Sequence, residues 1–586
     1  AKTAELKPAN MTENGIPESQ VVELTFTPYD MASYDCYDRN YNRNVGYELD
    51  AGEYIMRLSN TAHDLDDCEG AQWSYNLAAN YKFRNDPKTG NRVTNRFTNY
   101  DTVYKNESGE FVTQRINAYA NCAIDGSDAD QPDTMYLTRS DFAGTFPKVT
   151  EQKKSGEAIN AASSYIAEPS DPGDVVRKDP VDNGLRLVTD ENGGSMSYNE
   201  LNSGTVQYKY NDELMLDLGL DYDSPTWDTL LAQLSDNDIY TLVSKGNYGN
   251  AAIESIGKPI LYDSDGPAGL NRQTISSGVD RTEWTMYVMP NVLAQSWNTT
   301  LSYSFGLSVG KEANLTGNKG WYAPGANLQR SFFGGRNSEY YSEDPLLSGI
   351  MTAETCRGSI NNGQYVYLKH FAANESETNR IGLYTWLTEQ SLRELYLRPF
   401  EIGVKRGGAK GIMAAFNRIG AVWAGGNRAM TQEILRDEWG FRGSVVTDSY
   451  QTRYNPIKQA VIGGVDLMLG TCTESIDMDD PALYAEMRES AKNVIYAWCN
   501  AYATAKTHDP SEDRFTASVD RVVTVPKPFP YWFVGLVAIN VVVIAGIIVG
   551  TFFLFKPKKK RAAAGDVPPT DGSDTQNGDG DKKNSS

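Results

Sequence analysis

Basic residues, histidine and clustered cysteine are scarce in this 586-residue chain, and each shortage excludes a class of protein. The chain has 55 Lys and Arg against 76 Asp and Glu, and its net charge of −21 argues against binding nucleic acid, whose phosphates need a basic surface. The three histidines and six scattered cysteines have no metal-ligand spacing, so the sequence predicts no metal site and no cofactor. No Gly-rich dinucleotide loop follows a predicted strand.

One long hydrophobic run lies near the C-terminus, at residues 531–555. These 25 residues carry no charge, and as a helix of about 38 Å they would cross a bilayer. A cluster of Lys and Arg follows at 556–561. The positive-inside rule therefore predicts a single-pass protein of the cell membrane, with residues 1–530 outside and the C-terminus in the cytoplasm.

The pattern of polar and apolar residues changes along the rest of the chain, which predicts several domains. Short alternating runs such as VVELTF (21–26) indicate β structure near the N-terminus, too little for a complete sandwich. The predicted parts are a β segment at 1–66, an irregular connecting segment at 67–204, an alternating strand and helix region at 205–507, a linker at 508–530, the membrane helix at 531–555, and a basic then disordered cytoplasmic tail at 556–586.

The region 205–507 repeats short apolar runs separated by amphipathic helices, a pattern typical of a TIM (β/α)8-type barrel. A doubly wound open sheet is the alternative. The strands are predicted at KPILYDSDG (258–266), GQYVYLKHF (363–371), GIMAAFN (411–417), GSVVTDS (443–449) and GVDLMLG (464–470). Ser235 and Asp238 form a capping-box-like start for a helix that Gly246 ends.

Three segments place polar side chains where predicted strands end: SDGPAGLN (264–271), KHFAANESETNR (369–380) and GFRGSVVTDSY (440–450). In a parallel barrel the strand ends are where ligands meet the protein. Val445 and Val446 read as a buried strand, and Asp448 follows in the next turn. A carboxylate at such a position can attack the anomeric carbon of a sugar.

These three segments, together with WYAPGANLQRSFFGGRNSEYYSEDPLLSG (321–349) and MAAFNRIG (413–420), occur in the order and at the spacing of a known family. The region 205–507 resembles the catalytic barrel of glycoside hydrolase family 3, the β-glucosidase and β-xylosidase family. Residues 1–66 resemble the end of that family's fibronectin type III-like domain. This order resembles circularly permuted members, and it implies an N-terminally incomplete chain whose α/β sandwich domain would precede residue 1.

The resemblance implies a role for five residues. Asp448 is expected to be the nucleophile of a retaining reaction, the alternative being a helix N-cap. Asp265 is expected to accept sugar hydroxyls, the alternative being turn chemistry. Arg336, Lys369 and His370 are expected to contact the same sugar. The alternatives are an ion pair of Arg336 with a neighbouring glutamate and a core position for His370. Basic neighbours are expected to hold the pKa of Asp448 down.

The family pattern is broken at three points. Ser449 stands where most members have Trp, and Phe416 stands where many have Tyr. The third point is the general acid, a second carboxyl that retaining glycosidases place about 5–5.5 Å from the nucleophile. The acid is unknown, with Glu375 and Glu377 as outside candidates. An upstream sandwich domain or a partner chain is the other source.

The function implied is that of a retaining exo-glycosidase, a β-glucosidase above all, acting on an oligosaccharide or glycoside through a covalent glycosyl-aspartate. The alternative is a membrane-anchored carbohydrate-binding protein, or a catalytically incomplete one that lacks its general acid. The predicted partners are the substrate, the membrane through the C-terminal helix, and the domain or chain that supplies the acid. The sequence does not fix the sugar, because glucose, xylose, galactose and N-acetylglucosamine differ by one or two groups.

Overall fold

A computed structural model gives the structure, and it divides the chain into two compact units, residues 1–516 and 517–586. The described residues are 27–36, 42–57, 72–97, 101–105, 111–115, 163, 166–170, 176–178, 185–187, 210–271, 284–385, 387–451, 454–512 and 531–555. Most of the predicted connecting segment, nearly all of the predicted linker and the whole predicted tail lie outside these residues. The domain boundaries predicted from the sequence stay predictions.

The N-terminal part of the first unit is made of short antiparallel strands. They are β1 (Ser33–Asp35), β2 (Gly46–Leu49), β3 (Gly52–Arg57), β4 (Gln72–Leu77), β5 (Tyr81–Phe83), β6 (Asp101–Lys105), β7 (Phe111–Arg115), β8 (Val176–Lys178) and β9 (Leu185–Leu187). Strands β1, β2 and β5 form one sheet, and the others pair as two-stranded ribbons. The sheet thus joins strands on both sides of residue 66. Tyr34, Tyr47 and Val93 pack into a small core of their own.

The second part is a curled, mainly parallel sheet. Its strands are β10 (Gly249–Asn250), β11 (Leu261–Asp265), β12 (Asn318–Tyr322), β13 (Tyr365–Phe371), β15 (Gly411–Ala414) and β18 (Ser444–Thr447), in that order across the sheet. From β11 to β18 every neighbouring pair is parallel, whereas β10 is antiparallel to β11. All seven residues of β13 are buried, as expected of a strand covered on both faces.

Helices of the first unit pack around this sheet, α12 belongs to the second unit, and three short strands form a small second sheet. The helices of the described residues are α1 (Pro28–Met31), α2 (Asp212–Leu220), α3 (Thr226–Leu231), α4 (Asp236–Ser244), α5 (Pro290–Gln295), α6 (Thr299–Thr316), α7 (Pro345–Ile360), α8 (Glu389–Ser391), α9 (Arg398–Lys405), α10 (Ile457–Gly463), α11 (Pro481–Thr507) and α12 (Tyr531–Phe555), with π-helical segments at Leu392–Tyr396 and Ala429–Glu438 and 3₁₀ turns at Glu254–Ile256, Asn337–Glu339, Ala424–Gly426 and Pro510–Glu512. The small sheet contains β14 (Tyr384–Thr385), β16 (Arg418–Ile419) and β17 (Val422–Trp423). The capping box predicted at Ser235 and Asp238 begins α4, which confirms that helix.

The barrel class predicted from the sequence agrees with this architecture, but the strand count does not. Within the described residues the sheet has six strands instead of eight, and the strand predicted at 464–470 is absent. Gly464 and Gly470 have φ values of 99° and 148°, and the Asp466 carboxylate accepts from Val445 N at 2.6 Å. This side chain and the two glycines interrupt regular pairing, because ladder hydrogen bonds need continuous extended backbone.

Isolated bridges continue the curl beyond β18. Val446 bridges Leu467 in parallel, and Thr471 bridges Lys245 in antiparallel fashion. Met468 N donates to the carbonyl of Val243 at 2.8 Å. The chain after β18 therefore lies between β18 and the segment that leads into β10.

A buried ion cluster joins the N-terminal strands to the barrel. Arg393, 2% exposed at its side chain, donates to Glu389 at 2.9 Å and to Glu438 at 2.7 and 3.1 Å. It also donates to the carbonyl of Thr94 at 2.9 Å, and its guanidinium lies 4.6 Å from the ring centroid of Tyr34. One side chain thus binds two barrel carboxylates and two points of the N-terminal part.

The second unit contains α12, which coincides with the predicted membrane helix. Its described side chains are Leu536, residues 538–549 and Thr551, and large apolar ones such as Val542 (70% exposed) are exposed. Across the part of the chain whose side chains the structure describes, no helix is both long and apolar enough to span a bilayer. Membrane insertion therefore stays a prediction.

Candidate active site

The C-terminal ends of four parallel strands bring the predicted site residues to one edge of the sheet. Asp265 is the last residue of β11, and Lys369 and His370 lie near the end of β13. Asp448 follows β18 directly, and Arg336 lies in the loop after β12, next to the Asn337–Glu339 turn. The sheet extends its hydrogen bonding to Asp448, whose N–H donates to Ala414 O at 3.1 Å.

The two carboxylate oxygens of Asp448 have different environments. Oδ1 accepts from the N–H of Ser449 at 2.7 Å. Oδ2 lies 3.6 Å from Arg380 Nη1 and 3.8 Å from His370 Nε2. Oδ2 is buried, and no group among the described residues hydrogen-bonds to it. One oxygen is thus held by a backbone N–H, and the other makes no hydrogen bond to the described residues.

Asp448 does not cap a helix. The next helix, α10, begins at Ile457, and Pro456 occupies its N-cap position. The alternative role for Asp448 considered from the sequence is therefore wrong.

The electrostatic expectation for Asp448 is also wrong in sign. Burial raises its pKa above the usual range, and the opposing charges of Arg380, Arg336 and Lys369 reduce that rise without reversing it. The side chain is only 13% exposed, so loss of hydration outweighs three nearby cations. Sequence identifies the cations but carries no measure of this burial.

Asp265 and Lys369 form a close ion pair at the rim of the site. Lys369 Nζ donates to Asp265 Oδ1 at 2.5 Å, and Gly266 N donates to the same oxygen at 2.8 Å. Burial alone would raise the pKa of Asp265, but the Lys369 ammonium outweighs it and lowers that pKa. An ionised carboxylate with a second oxygen available suits a hydroxyl acceptor. The turn role is present as well, through Gly266.

Arg336 combines both roles considered from the sequence. Its Nη2 donates to Glu339 at 2.5 Å, which is the predicted ion pair, and its Nη1 lies 2.9 Å from His370 Nε2. Burial, followed by the charges of Arg336 and Lys369, lowers the pKa of His370 well below its usual value. His370 is therefore neutral, and its 3.8 Å approach to Asp448 is not a salt bridge.

Sequence reasoning missed Arg380, although it ends the segment KHFAANESETNR. Arg380 Nη1 lies 3.1 Å from Glu377 Oε2 as well as 3.6 Å from Asp448 Oδ2. The two carboxylate oxygens are therefore no more than the sum of these distances apart, about 6.7 Å. The Arg380 guanidinium also lies 4.7 Å from the ring centroid of Phe416, a position where a tyrosine ring would carry a hydroxyl.

Tyr248 was also missed, because it precedes β10 and belongs to none of the quoted segments. Burial, followed by the charges of Asp265 and Asp448, raises its pKa. Its ring centroid lies 5.7 Å from that of Tyr322 in the core.

Both outside candidates for the general acid are engaged by other side chains. Glu377 lies between two guanidinium groups, 3.1 Å from Arg380 and 3.7 Å from Arg336. Glu375 Oε1 accepts from Asn327 Nδ2 and from Leu328 N, each at 3.2 Å. Burial raises the pKa of Glu375 to about 7, but these contacts direct it towards Asn327. No cluster of three or more His, Cys, Asp or Glu in the described ranges is arranged to hold a metal ion.

Removing Arg380 is expected to change the pH dependence of the site. Its guanidinium is the strongest of the charges that lower the pKa of Asp448. Arg380→Met should therefore shift the acid limb of kcat/KM on an activated glycoside to higher pH, because Asp448 must be ionised to attack. The control is Arg357→Met on α7, at a partly exposed arginine whose partner Glu354 also pairs with Arg406, and it should leave the limb in place. An unchanged limb in Arg380→Met would contradict the assignment of that limb to Asp448.

A known protein family matches most of the barrel region. Residues 265–525 match the family described as "Glycosyl hydrolase family 3 N terminal domain". This stretch contains Asp265, Arg336, Lys369, His370 and Asp448. The resemblance seen in the sequence is confirmed at this level: residues 265–525 match the model of that family.

The similar curated proteins are β-glucosidases. The chain is 31% identical over 277 residues to "Beta-glucosidase B" of Emericella nidulans, covering 46% of this chain and 32% of that protein. It is 33% identical over 314 residues to "Beta-glucosidase" of Ruminococcus albus, covering 48% of this chain and 32% of that protein. The chain thus spans about a third of the length of these curated relatives.

Among solved structures, a β-glucosidase from Paenibacillus barengoltzii aligns over 82% of this chain and 48% of its own, with 23% identity and a TM-score of 0.50. At this identity the likeness supports the fold alone. Circular permutation, N-terminal incompleteness and membrane anchoring stay predictions.

Proposed function

We propose that this chain is the catalytic barrel of a retaining exo-glycosidase, a β-glucosidase, with Asp448 as its nucleophile. The observation that carries the proposal is that only one oxygen of the Asp448 carboxylate is hydrogen-bonded within the described part of the chain. One oxygen is held by Ser449 N, and the other is buried without a hydrogen bond, beside Arg380 and His370. The β-glucosidase names of its relatives support the choice of sugar.

In the proposed reaction Asp448 Oδ2 bonds to the anomeric carbon while the bond from that carbon to the leaving oxygen breaks. The leaving oxygen takes a proton from a general acid. Water then attacks the same carbon, gives a proton to the now deprotonated general acid and releases Asp448, so the product keeps the configuration of the substrate. Asp265, paired with Lys369, would accept two sugar hydroxyls and fix the ring. Arg380 would hold charge beside Asp448 throughout.

The alternative of a catalytically incomplete or carbohydrate-binding chain is favoured by one observation. Glu377, at most about 6.7 Å from Asp448, is occupied by two arginines, and Glu375 is directed at Asn327. A general acid supplied by an upstream sandwich domain or by a partner chain is therefore part of the proposal.

Comparing leaving groups separates these alternatives. The 2,4-dinitrophenolate of a 2,4-dinitrophenyl β-glucoside leaves with little protonation, whereas the glucose expelled from cellobiose needs an acid. We expect this chain to hydrolyse the first with retention, visible by proton NMR of the initial product, and to hydrolyse cellobiose orders of magnitude more slowly. Binding of glucose with no turnover of either substrate would favour the carbohydrate-binding alternative. Equal rates on both would place a general acid within this chain.

We further propose that α12 anchors the chain in the cell membrane, with the barrel outside and the C-terminus cytoplasmic. The supporting observations are 25 uncharged residues, exposed apolar side chains and the Lys and Arg cluster at 556–561. The full chain should stay in the membrane pellet after alkaline carbonate extraction, and a deletion of 531–561 should move to the supernatant. Release of the full chain by carbonate would contradict the anchor.

A further inference from the structure

The side chain of Asn327 makes three polar contacts with the backbone and ring of His370 and a fourth with Glu375. Its Oδ1 accepts from His370 N at 2.7 Å and lies 3.3 Å from His370 Nδ1. Its Nδ2 donates to the carbonyl of His370 at 3.0 Å and to Glu375 Oε1 at 3.2 Å. Asn327 is fully buried, and it is not among the site residues predicted from the sequence.

These contacts fix the orientation of the Asn327 amide. A flipped amide would place its oxygen against the carbonyl of His370 and the carboxyl of Glu375, two acceptors, and its NH2 group against a backbone N–H. Glu375 is itself held by Leu328 N at 3.2 Å. The amide oxygen must therefore face His370 Nδ1, because each of the other arrangements leaves buried polar groups unpaired.

The orientation of the amide decides where the ring of His370 carries its proton. Nδ1 faces an acceptor, the Asn327 oxygen at 3.3 Å, whereas Nε2 faces a donor, Arg336 Nη1 at 2.9 Å. A guanidinium can only donate, so Nε2 must offer its lone pair. His370 is thus the Nδ1–H tautomer, neutral, with an unprotonated nitrogen 3.8 Å from Asp448 Oδ2.

We propose that Asn327 is a positioning residue that holds His370 in this tautomer. Its first effect is on Arg336. The lone pair of His370 Nε2 accepts from Arg336 Nη1, so the guanidinium is held by His370 as well as by Glu339 and Glu377. Its second effect is on Asp448, because an imidazolium at 3.8 Å would donate to the oxygen that must attack. The consequence for catalysis rests on the proposed function, whereas the tautomer itself does not.

The tautomer is measurable directly, because the chain has only three histidines, His63, His370 and His508. In a ¹⁵N-histidine-labelled chain with His63→Gln and His508→Gln, the remaining ring signals belong to His370. At neutral pH we expect a protonated Nδ1 and a lone-pair Nε2. An Nε2–H tautomer or an imidazolium in this otherwise unaltered site would overturn the proposal without any change at Asn327.

Asn327→Asp tests the cause. A carboxylate facing Nδ1–H favours the imidazolium, so both ring nitrogens should become protonated. The turnover of 2,4-dinitrophenyl β-glucoside should then fall by about tenfold or more, because the Arg336 acceptor is lost and Asp448 is engaged. Asn361→Asp, at a contact with Tyr303 away from the site, is the matched control and should leave ring signals and turnover unchanged.

Two outcomes of the variant would overturn the proposal: ring signals that match the parent chain, or an imidazolium with parental turnover. If Asn327→Asp does not fold, Asn327→Ser provides the second variant. It removes the four contacts without adding charge, and we expect mixed tautomers. A parent chain with the expected tautomer but no turnover of any glucoside would instead contradict the proposed function.

Discussion

Replacing Asp448 with alanine is expected to lower the hydrolysis of a 2,4-dinitrophenyl β-glucoside by roughly 10³–10⁵-fold, the scale on which loss of a hydrolase's central group acts. The reason is the position of its Oδ2, which is buried, free of hydrogen bonds to described groups and next to two cationic or polar side chains. The measurement is single-turnover kinetics at a pH above the raised pKa of Asp448, where the parent carboxylate is ionised.

Added azide extends this prediction. In Asp448→Ala a small anion can occupy the space of the carboxylate and attack the anomeric carbon from the same face. The product should be the α-glucosyl azide, formed with one inversion and without a second step. Asp212→Ala, at a carboxylate 85% exposed on α2, is the control and should keep parental kinetics. Activity of Asp448→Ala within tenfold of the parent would rule out its role as nucleophile.

Arg393→Met is expected to destabilise the first unit by about 3–5 kcal/mol, the usual cost of removing one partner from a buried ion cluster. It would leave Glu389 and Glu438, at 0% and 1% side-chain exposure, without their common counter-ion. It would also release the contacts to Thr94 and Tyr34 in the N-terminal part. The measurement is the free energy of unfolding from urea denaturation followed by circular dichroism.

Two further variants show whether charge is the cause. Lys506→Ala, which breaks an exposed 4.0 Å pair with Asp212, should cost less than about 1 kcal/mol. Arg393→Met combined with Glu389→Gln and Glu438→Gln should recover part of the loss, because no buried charge is then left unpaired. A loss below 1 kcal/mol for Arg393→Met alone would mean that the N-terminal strands do not depend on this cluster.

Short sequence patterns predicted several helices and strands correctly. The capping box at Ser235 and Asp238 predicts α4, and alternating or apolar runs predict β11, β13, β15 and β18. Strand β12, with the sequence NKGWY, was missed because it has no apolar run. Its burial depends on the tertiary neighbours of Gly320, where an added Cβ would collide with Asp263 and Tyr365. Such close packing is not visible in a local pattern.

The site divides in the same way. Residues at strand ends, such as Asp265 and Asp448, follow from motifs, because a parallel sheet brings strand ends to one edge. Arg380 and Asn327 lie in loops after the strands, and motif spacing does not show that these loops bring them to the site. The sign of the pKa shift at Asp448 was missed for a related reason. It depends on the balance between burial and three charges, and only the charges can be read from residue types.

The most direct test of the account is to identify the residue that becomes glycosylated. The chain is incubated with 2,4-dinitrophenyl 2-deoxy-2-fluoro-β-glucoside, whose fluorine slows the second step more than the good leaving group slows the first. Peptide mass spectrometry then locates the added fluoroglucosyl group. The account predicts one label, on Asp448 within GFRGSVVTDSY, and none in Asp448→Asn. A label on Glu375, Glu377 or any other residue, or no label in a folded chain that binds glucose, would contradict it.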